Sequence, residues 1–272
     1  MSIVLVNSPS FSGGENVCKM VANKLQYDYL QDDIIDTVSA TYGIDSEKLE
    51  KALKHAPSFF GMSLEERIIY LTYFQAVFVK TLLKDNIVYC GGIGHTLVSG
   101  ISHIFKVYVI ADVNERVRRR AANENISEGD ALKKIQKDDK EHAKWMKAVL
   151  KTDDSNPALY DLTINIGQIT EDDAVEFICK AVQSRRFQHM TYSINCLKNL
   201  ELAYRVKAAL IHLDSELTVR VEEDVVYINT KTLDKEKRLA KIKEILKTLD
   251  NIKDVHINVL ENYMERISLT ER

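Results

Sequence analysis

The most constraining feature of this chain lies near its N-terminus. The β-branched run Ile3–Val6 is followed by the loop NSPSFSGG, and then by ENVCKMVANKL, in which Val17, Met20, Val21, Ala22 and Leu25 recur at helical spacing. A buried strand turned through glycines into an amphipathic helix is the opening unit of an α/β sheet. Three further short apolar runs, Ile87–Cys90, Val107–Ile110 and Leu162–Ile166, are separated by long segments of helical period. Runs so continuously apolar are buried on both faces, which predicts a doubly wound parallel sheet between helical layers. The first loop then ends at a helix N-terminus, where backbone N–H groups face outward and favour an anion.

Between residues 45 and 84 only helical patterns occur, and 121–150 is a highly charged helical stretch; both are expected to cover an edge of the sheet. The apolar segment Ile68–Leu83 is broken by Gln75 and Lys80 and reads as a buried helix rather than a membrane span. No signal peptide is visible, and Cys18, Cys90, Cys179 and Cys196 lie far apart with no C-x-x-C pair, so reduced, mostly buried thiols and a cytoplasmic location are expected. With 272 residues, 45% apolar, the chain has material for more than one domain. A net charge of −3 provides no general attraction to nucleic acid or anionic membrane, so neither is expected as a partner.

Past Val182 the segment QSRRFQHMTYS has no periodicity and reads as a connector. The expected organisation is a first domain over 1–182, a linker over 183–192 and a second domain over 193–272. In the second, Leu202, Ala203, Val206, Leu210 and Leu213 form a helix face, 217–221 and 225–229 alternate as paired strands, 235–249 is helical, and 255–260 alternates again. This α-β-β-α-β order makes it a small α+β unit. From Thr218 to Leu260 it resembles the BON domain, an interaction module, with Glu223 and Asp224 where that domain has a turn glycine. The resemblance implies a protein partner.

The template G-x-x-x-x-G-K-[ST] fails on the first loop, because it would place Gly14 at the lysine and Glu15 at the magnesium-binding hydroxyl. Residues Phe11, Ser12, Gly13, Gly14, Glu15, Asn16, Val17 and Cys18 instead resemble the G-S-G-G-R-E-I-A loop of the cytidylate kinase-like family. NIVYCGGIGHTL resembles its apolar strand followed by G-R-G-A, and 115–145 its arginine-rich lid helix pair. DSNPALYDLTINIGQI, with Pro157, Leu159, Tyr160, Asp161, Leu162 and Asn165, resembles its D-P-x-L-Y-D-L-V-I-N-T stretch. The resemblance implies a P-loop fold with a helical lid, use of ATP or another nucleotide with Mg2+, and phosphoryl transfer to a nucleoside monophosphate such as CMP. It places phosphate contacts at Ser10, Ser12, Gly13, Gly14, Glu15, Asn16 and Val17, and nucleotide contacts at Arg116 and Arg119.

The chain departs from the family pattern at three basic positions: Glu15 stands for the loop arginine, Gly92 for the arginine of G-R-G, and His142 for the arginine three residues after Asp139. Phosphoryl transfer depends on cations around the moving group, and one lost cation can cost roughly 10³ to 10⁵ in rate. A carboxylate roughly 4 Å from a phosphate charge would oppose it by about 4 kcal/mol at an effective dielectric near 20. Alternatively Glu15 caps its own helix, replacing the anion. The catalytic candidates are Arg116, Arg119 and Asp139. Each has a bland counterpart: RVRRR as a solvated helix face, and Asp138 and Asp139 as solvated acids rather than magnesium ligands through water. His95, after the glycine turn, reads as a structural histidine before a catalytic one, and Tyr160 and Asp161 as anchors of the last strand.

Three functions follow. One is a nucleotide-binding protein whose kinase activity is weak or absent. The second is an active kinase in which Lys19, Lys24 or the lid arginines take over the lost roles. The third is a scaffold or nucleotide sensor acting through the second domain. Oligomeric state, homo-oligomers included, is left open by the sequence.

Overall fold

The computed structural model describes residues 2–31, 33–57, 61–231 and 235–260. Five strands, β1 Ile3–Asn7, β2 Asp28–Leu30, β3 Ile87–Cys90, β4 Ile104–Ala111 and β5 Leu162–Ile166, form one sheet in the order β2-β3-β1-β4-β5. All its pairings are parallel. β1 is central and wholly buried, and its side chains alternate between two cores. Ile3 and Leu5 face one side, with Ile87, Tyr89 and Ile104. Val4 and Val6 face the other, with Val88, Phe105, Val107 and Ile164.

The second core is closed by α1 Gly14–Leu25 and α8 Glu171–Val182. The first is closed by α2 Asp33–Tyr42, α3 Ser46–Lys54 and α4 Leu64–Leu82. The helical segment 45–84 therefore covers a face of the sheet rather than an edge, because α4 carries apolar residues around most of its circumference and is buried along its length. Among the described residues no helix is long and apolar enough to cross a membrane.

The charged stretch 121–150 spans the end of one helix and the whole of a second. Asn125, left-handed at φ 53°, ends α6 Val113–Glu124, and Ser127 caps α7 Glu128–Trp145, so the two fold back as a hairpin. A single π turn, Met146–Leu150, follows. A short helix, α5 Gly94–Leu97, follows β3.

Beyond α8 the expected connector holds a short helical turn, Arg185–Phe187, and the first two residues of α9 Thr191–Leu210. α9 serves two cores. Leu197 and Ala208 join the first core of the large sheet, while Leu202, Ala203, Val206 and Leu210 join a third core with β6 Thr218–Glu222, β7 Val225–Lys231 and α10 Lys235–Leu246. Strand β8 Asp254–Leu260 completes a sheet in the order β6-β7-β8, antiparallel then parallel. The β6–β7 turn uses Glu223 at φ 49° and Asp224 at φ 64°, both left-handed, the geometry that matches strand twist in a two-residue hairpin.

Candidate functional site

The loop after β1 opens at the carboxyl edge of the sheet, beside the point where the chain passes from β3 to β4 across the central strand. Gly13, at φ 88°, takes a backbone conformation suited to glycine, and Gly14 lies so close to the Ser8 hydroxyl that a Cβ there would collide with it. Among the described residues no side chain caps α1, so its first N–H groups are not claimed by a cap. The Ser12 hydroxyl is buried in the loop and has no partner among the described residues. A cleft of about 1400 Å³ lies over this loop, bounded on its far side by Gly92, Tyr108, His142 and Asp154.

Helix α6 delivers three of its four arginines to the loop and lid. Arg116, with its side chain 8% exposed, donates to the Ser10 carbonyl at 2.8 Å and makes a bidentate pair with Asp139 at 2.7 and 2.9 Å. It thereby clamps the loop to the lid. Arg119 lies against Gly13 and pairs with Glu171 at 2.7 Å and Glu115 at 3.0 Å. Arg120 holds Asp138 at 2.6 Å and Glu124 at 2.8 Å, with its guanidinium 5.1 Å from the Phe11 ring centroid. Only Arg118 fits the expectation of a solvated face. Asp138 and Asp139 are accordingly counter-ions of arginines rather than free acids.

Glu15 is 57% exposed and pairs with Lys19 one turn along α1 at 2.6 Å, so it neither caps the helix nor fills the loop. Both Glu15 and Lys19 border the cleft. Asn16 is engaged by Glu171, and Val17 spends its N–H on the Gly13 carbonyl and its side chain in the core. Lys24 pairs with Glu176 of α8 and lies outside the cleft. Among the described residues no group of three or more His, Cys, Asp or Glu is arranged to hold a metal.

On the far wall the sequence marked Gly92, His95, His142 and Tyr160 but not Asn7, Tyr108 or Asp154, which join them. Asn7, the last residue of β1, donates to Asp154 Oδ2 at 3.1 Å and to the Tyr160 hydroxyl at 2.6 Å. Tyr160 donates to the Asp154 carbonyl at 2.7 Å, stacks on Tyr108 and lies 3.2 Å from His95 Nε2. His142 meets Asp154 Oδ2 at 2.6 Å. Burial pushes the Asp154 carboxyl up, but the bonds from His142 and Asn7 outweigh it and hold it below the usual carboxylate range. Burial pulls His95 down to about 4 and pushes Tyr108 up to about 12. Gly92 and His142 are neighbours: a Cβ on Gly92 would meet His142 Cε1 at 3.1 Å. Asp161 accepts the Lys106 N–H at 2.9 Å, tying β5 to β4.

A five-stranded parallel sheet between helices, with this glycine loop at its carboxyl edge and a helical hairpin over it, defines a P-loop kinase-type protein. The cytidylate kinase-like family model matches residues 6–168, more than half of the chain, and the chain belongs to that family. A cytidylate kinase from Sulfolobus acidocaldarius is 26% identical over 191 residues, spanning 70% of this chain and 98% of the relative. The crystal structure of an uncharacterized protein from Eubacterium ventriosum shares the fold, with a TM-score of 0.52 at 19% identity over 68% of this chain and 100% of that one.

Proposed function

We propose that the chain binds a nucleotide through the loop Ser8–Gly14 and transfers a phosphoryl group from ATP to a nucleoside monophosphate weakly or not at all. The observation that carries this reading is the state of the cations. Arg116 is committed to Asp139 and the Ser10 carbonyl, while the two far-wall positions where the family pattern has arginine are Gly92 and a His142 tied to Asp154. Binding needs less than turnover: loop N–H groups and Arg119, which an incoming phosphate could take from Glu171, supply an anion cradle. Turnover needs cations around the moving group, and of the positions where the family pattern has them Arg116 is spent while Gly92 and Glu15 carry none.

Magnesium is expected with ATP, but the acids nearest the loop do not fit it well. Glu15, Glu171, Asp138 and Asp139 are each engaged by a lysine or arginine. The second sheet is read as an attached interaction module for a protein partner. That reading is supported by a row across the outer face of its three strands, in which the guanidinium of exposed Arg220 lies 5.4 Å from the ring of half-buried Tyr227 and Tyr227 stacks on exposed His256.

The test is a calorimetric titration with ATP, ADP, CMP and CDP, with and without magnesium, followed by a coupled kinase assay. Saturable binding with turnover far below about 1 per second is expected. Turnover with CMP at about 1 to 100 per second would overturn the impaired reading, and no binding by any nucleotide would overturn the whole of it.

A further inference from the structure

Behind the Tyr160 wall, on the face of the sheet that carries α5, lies a second cavity of about 310 Å³ bordered by His95, Ser99, Lys106 and Thr152. Its charge is unbalanced. Lys106 sits in the middle of β4, half-buried between the inner residues Phe105 and Val107, which point to the opposite core. Among the described residues its ammonium has neither an ion pair nor a hydrogen bond, and burial pulls it below the usual lysine range. The acid whose field acts on it, Asp161, has an oxygen occupied by the backbone N–H of Lys106. Among the described residues no carboxylate borders the cavity.

His95 is 3% exposed, and among the described residues its Nδ1 has no partner. The protonation of that nitrogen follows from the far-wall network. The single proton of the Tyr160 hydroxyl goes to the Asp154 carbonyl, and Asn7 donates to the Tyr160 hydroxyl oxygen. The 3.2 Å contact with His95 therefore requires Nε2–H to donate to Tyr160. The imidazole is neutral at physiological pH, which leaves Nδ1 as a bare acceptor. The cavity thus offers a cation and, buried beside it, an acceptor in need of a donor.

We propose that this cavity is a second anion site, distinct from the nucleotide loop, that takes a protonated oxyanion: inorganic phosphate or a phosphate monoester, with an ionised oxygen on Lys106 and its P–O–H donating to His95 Nδ1. The pairing explains why one small site presents both a cation and an acceptor. An oxyanion without a proton can satisfy only the first. His95 shares Tyr160 with Asn7, so the site is two hydrogen bonds from the strand residue that leads into the loop.

The probe is inorganic phosphate, titrated at constant ionic strength near neutral pH into the full chain carrying 15N-labelled histidine, with sulfate as the proton-free control. The His95 Nδ1 resonance, assigned with His95→Gln, is expected to leave the range of a bare nitrogen as phosphate is added. Sulfate should bind at least about tenfold more weakly, since it leaves the buried acceptor unpaired. K106M should weaken phosphate at His95 by about tenfold or more through loss of a charged hydrogen bond, whereas R119A, at the loop, should leave it unchanged. A phosphomonoester such as glycerol phosphate, compared with inorganic phosphate at about pH 5.5 where the ester keeps its P–O–H, separates the two sources: tighter binding than inorganic phosphate assigns the site to esters, and weaker binding assigns it to the free ion. The proposal is overturned if His95 Nδ1 does not respond. It is equally overturned if the response is lost in R119A and kept in K106M, or if sulfate matches phosphate. The last contrast needs only the wild-type chain, so it decides the matter even where K106M does not fold.

Discussion

The two walls of the cleft manage charge in opposite ways. On the loop wall, arginines are plentiful and each is answered by an acid that remains partly in water: Asp139 is 45% exposed and Glu171 23%. On the far wall the groups answer one another in the interior: Asn7, Asp154, Tyr160 and His95 form a network in which Asp154 is the charged member, steadied by His142. An incoming anion can exchange partners on the first wall, because a released Glu171 can turn to solvent at modest cost. On the second wall every exchange strands a buried group. The loop wall is therefore suited to binding, and the far wall to holding shape.

The largest effect expected from this contrast comes from returning arginines to the far wall. The double variant G92R/H142R removes the imidazole that a Gly92 side chain would meet and restores two cations where the family pattern has them. Phosphoryl transfer to CMP in a coupled assay should rise by about 10³-fold or more over the wild-type chain. An unchanged rate, with the fold intact by circular dichroism, would show that the lost cations are not what limits turnover.

Next in size is the pH dependence that the far wall imposes on stability. His95 falls from an ordinary 6.5 to about 4 in the folded protein because burial disfavours its charged form. The unfolded chain therefore binds the extra proton first. The stabilisation is full above pH 6.5 and is lost as pH falls toward 4. Across that window the loss should be on the order of 3 kcal/mol. Asp154, held below its usual range, adds a loss of the same sign, but only at more acid pH. In urea unfolding, His95→Gln should be flatter than wild type between these values; parallel curves would mean that His95 titrates freely in the native state.

The loop wall answers a different substitution. Arg119→Ala should weaken nucleotide binding by about tenfold, the loss of one charge-assisted hydrogen bond, while His142→Ala leaves it within about twofold. Calorimetric titration of both variants with ADP measures the contrast, and the reverse ranking would exchange the roles of the two walls.

How much of this was legible in the sequence depended on the range of the interaction. The four apolar runs marked four of the five strands of the large sheet, because burial on both faces leaves a local trace. β2 left none: its three residues, Asp28–Leu30, sit at the sheet edge, partly exposed, and carry no apolar run. The α6–α7 pair was marked by the resemblance, but the place of its break was not, because the break is a left-handed Asn125 rather than a glycine or proline. The loop and its glycines were readable as a local motif. The fate of its charges was not, since Arg119 meets Glu171 and Asn7 meets Asp154 across 52 and 147 residues. Lys106 illustrates the same limit, because in sequence it is simply a polar interruption of a strand.

The smallest effect is expected where the sequence raised its sharpest conflict, at Glu15. A carboxylate facing the loop would repel phosphate strongly, and removing it would then improve nucleotide affinity tenfold or more. In the structure the carboxylate instead turns along α1 to Lys19, and the two charges cancel in solvent. Glu15→Gln should therefore alter ADP affinity by less than about threefold, with a slight loss as readily as a gain, because the freed Lys19 also borders the cleft. Raising the salt concentration should erase even that difference, since exposed charges are screened within about 10 Å at 0.1 M. A salt-resistant tenfold gain would show that the carboxylate reaches the phosphate after all and that the loop wall, like the far wall, has been closed against its ligand.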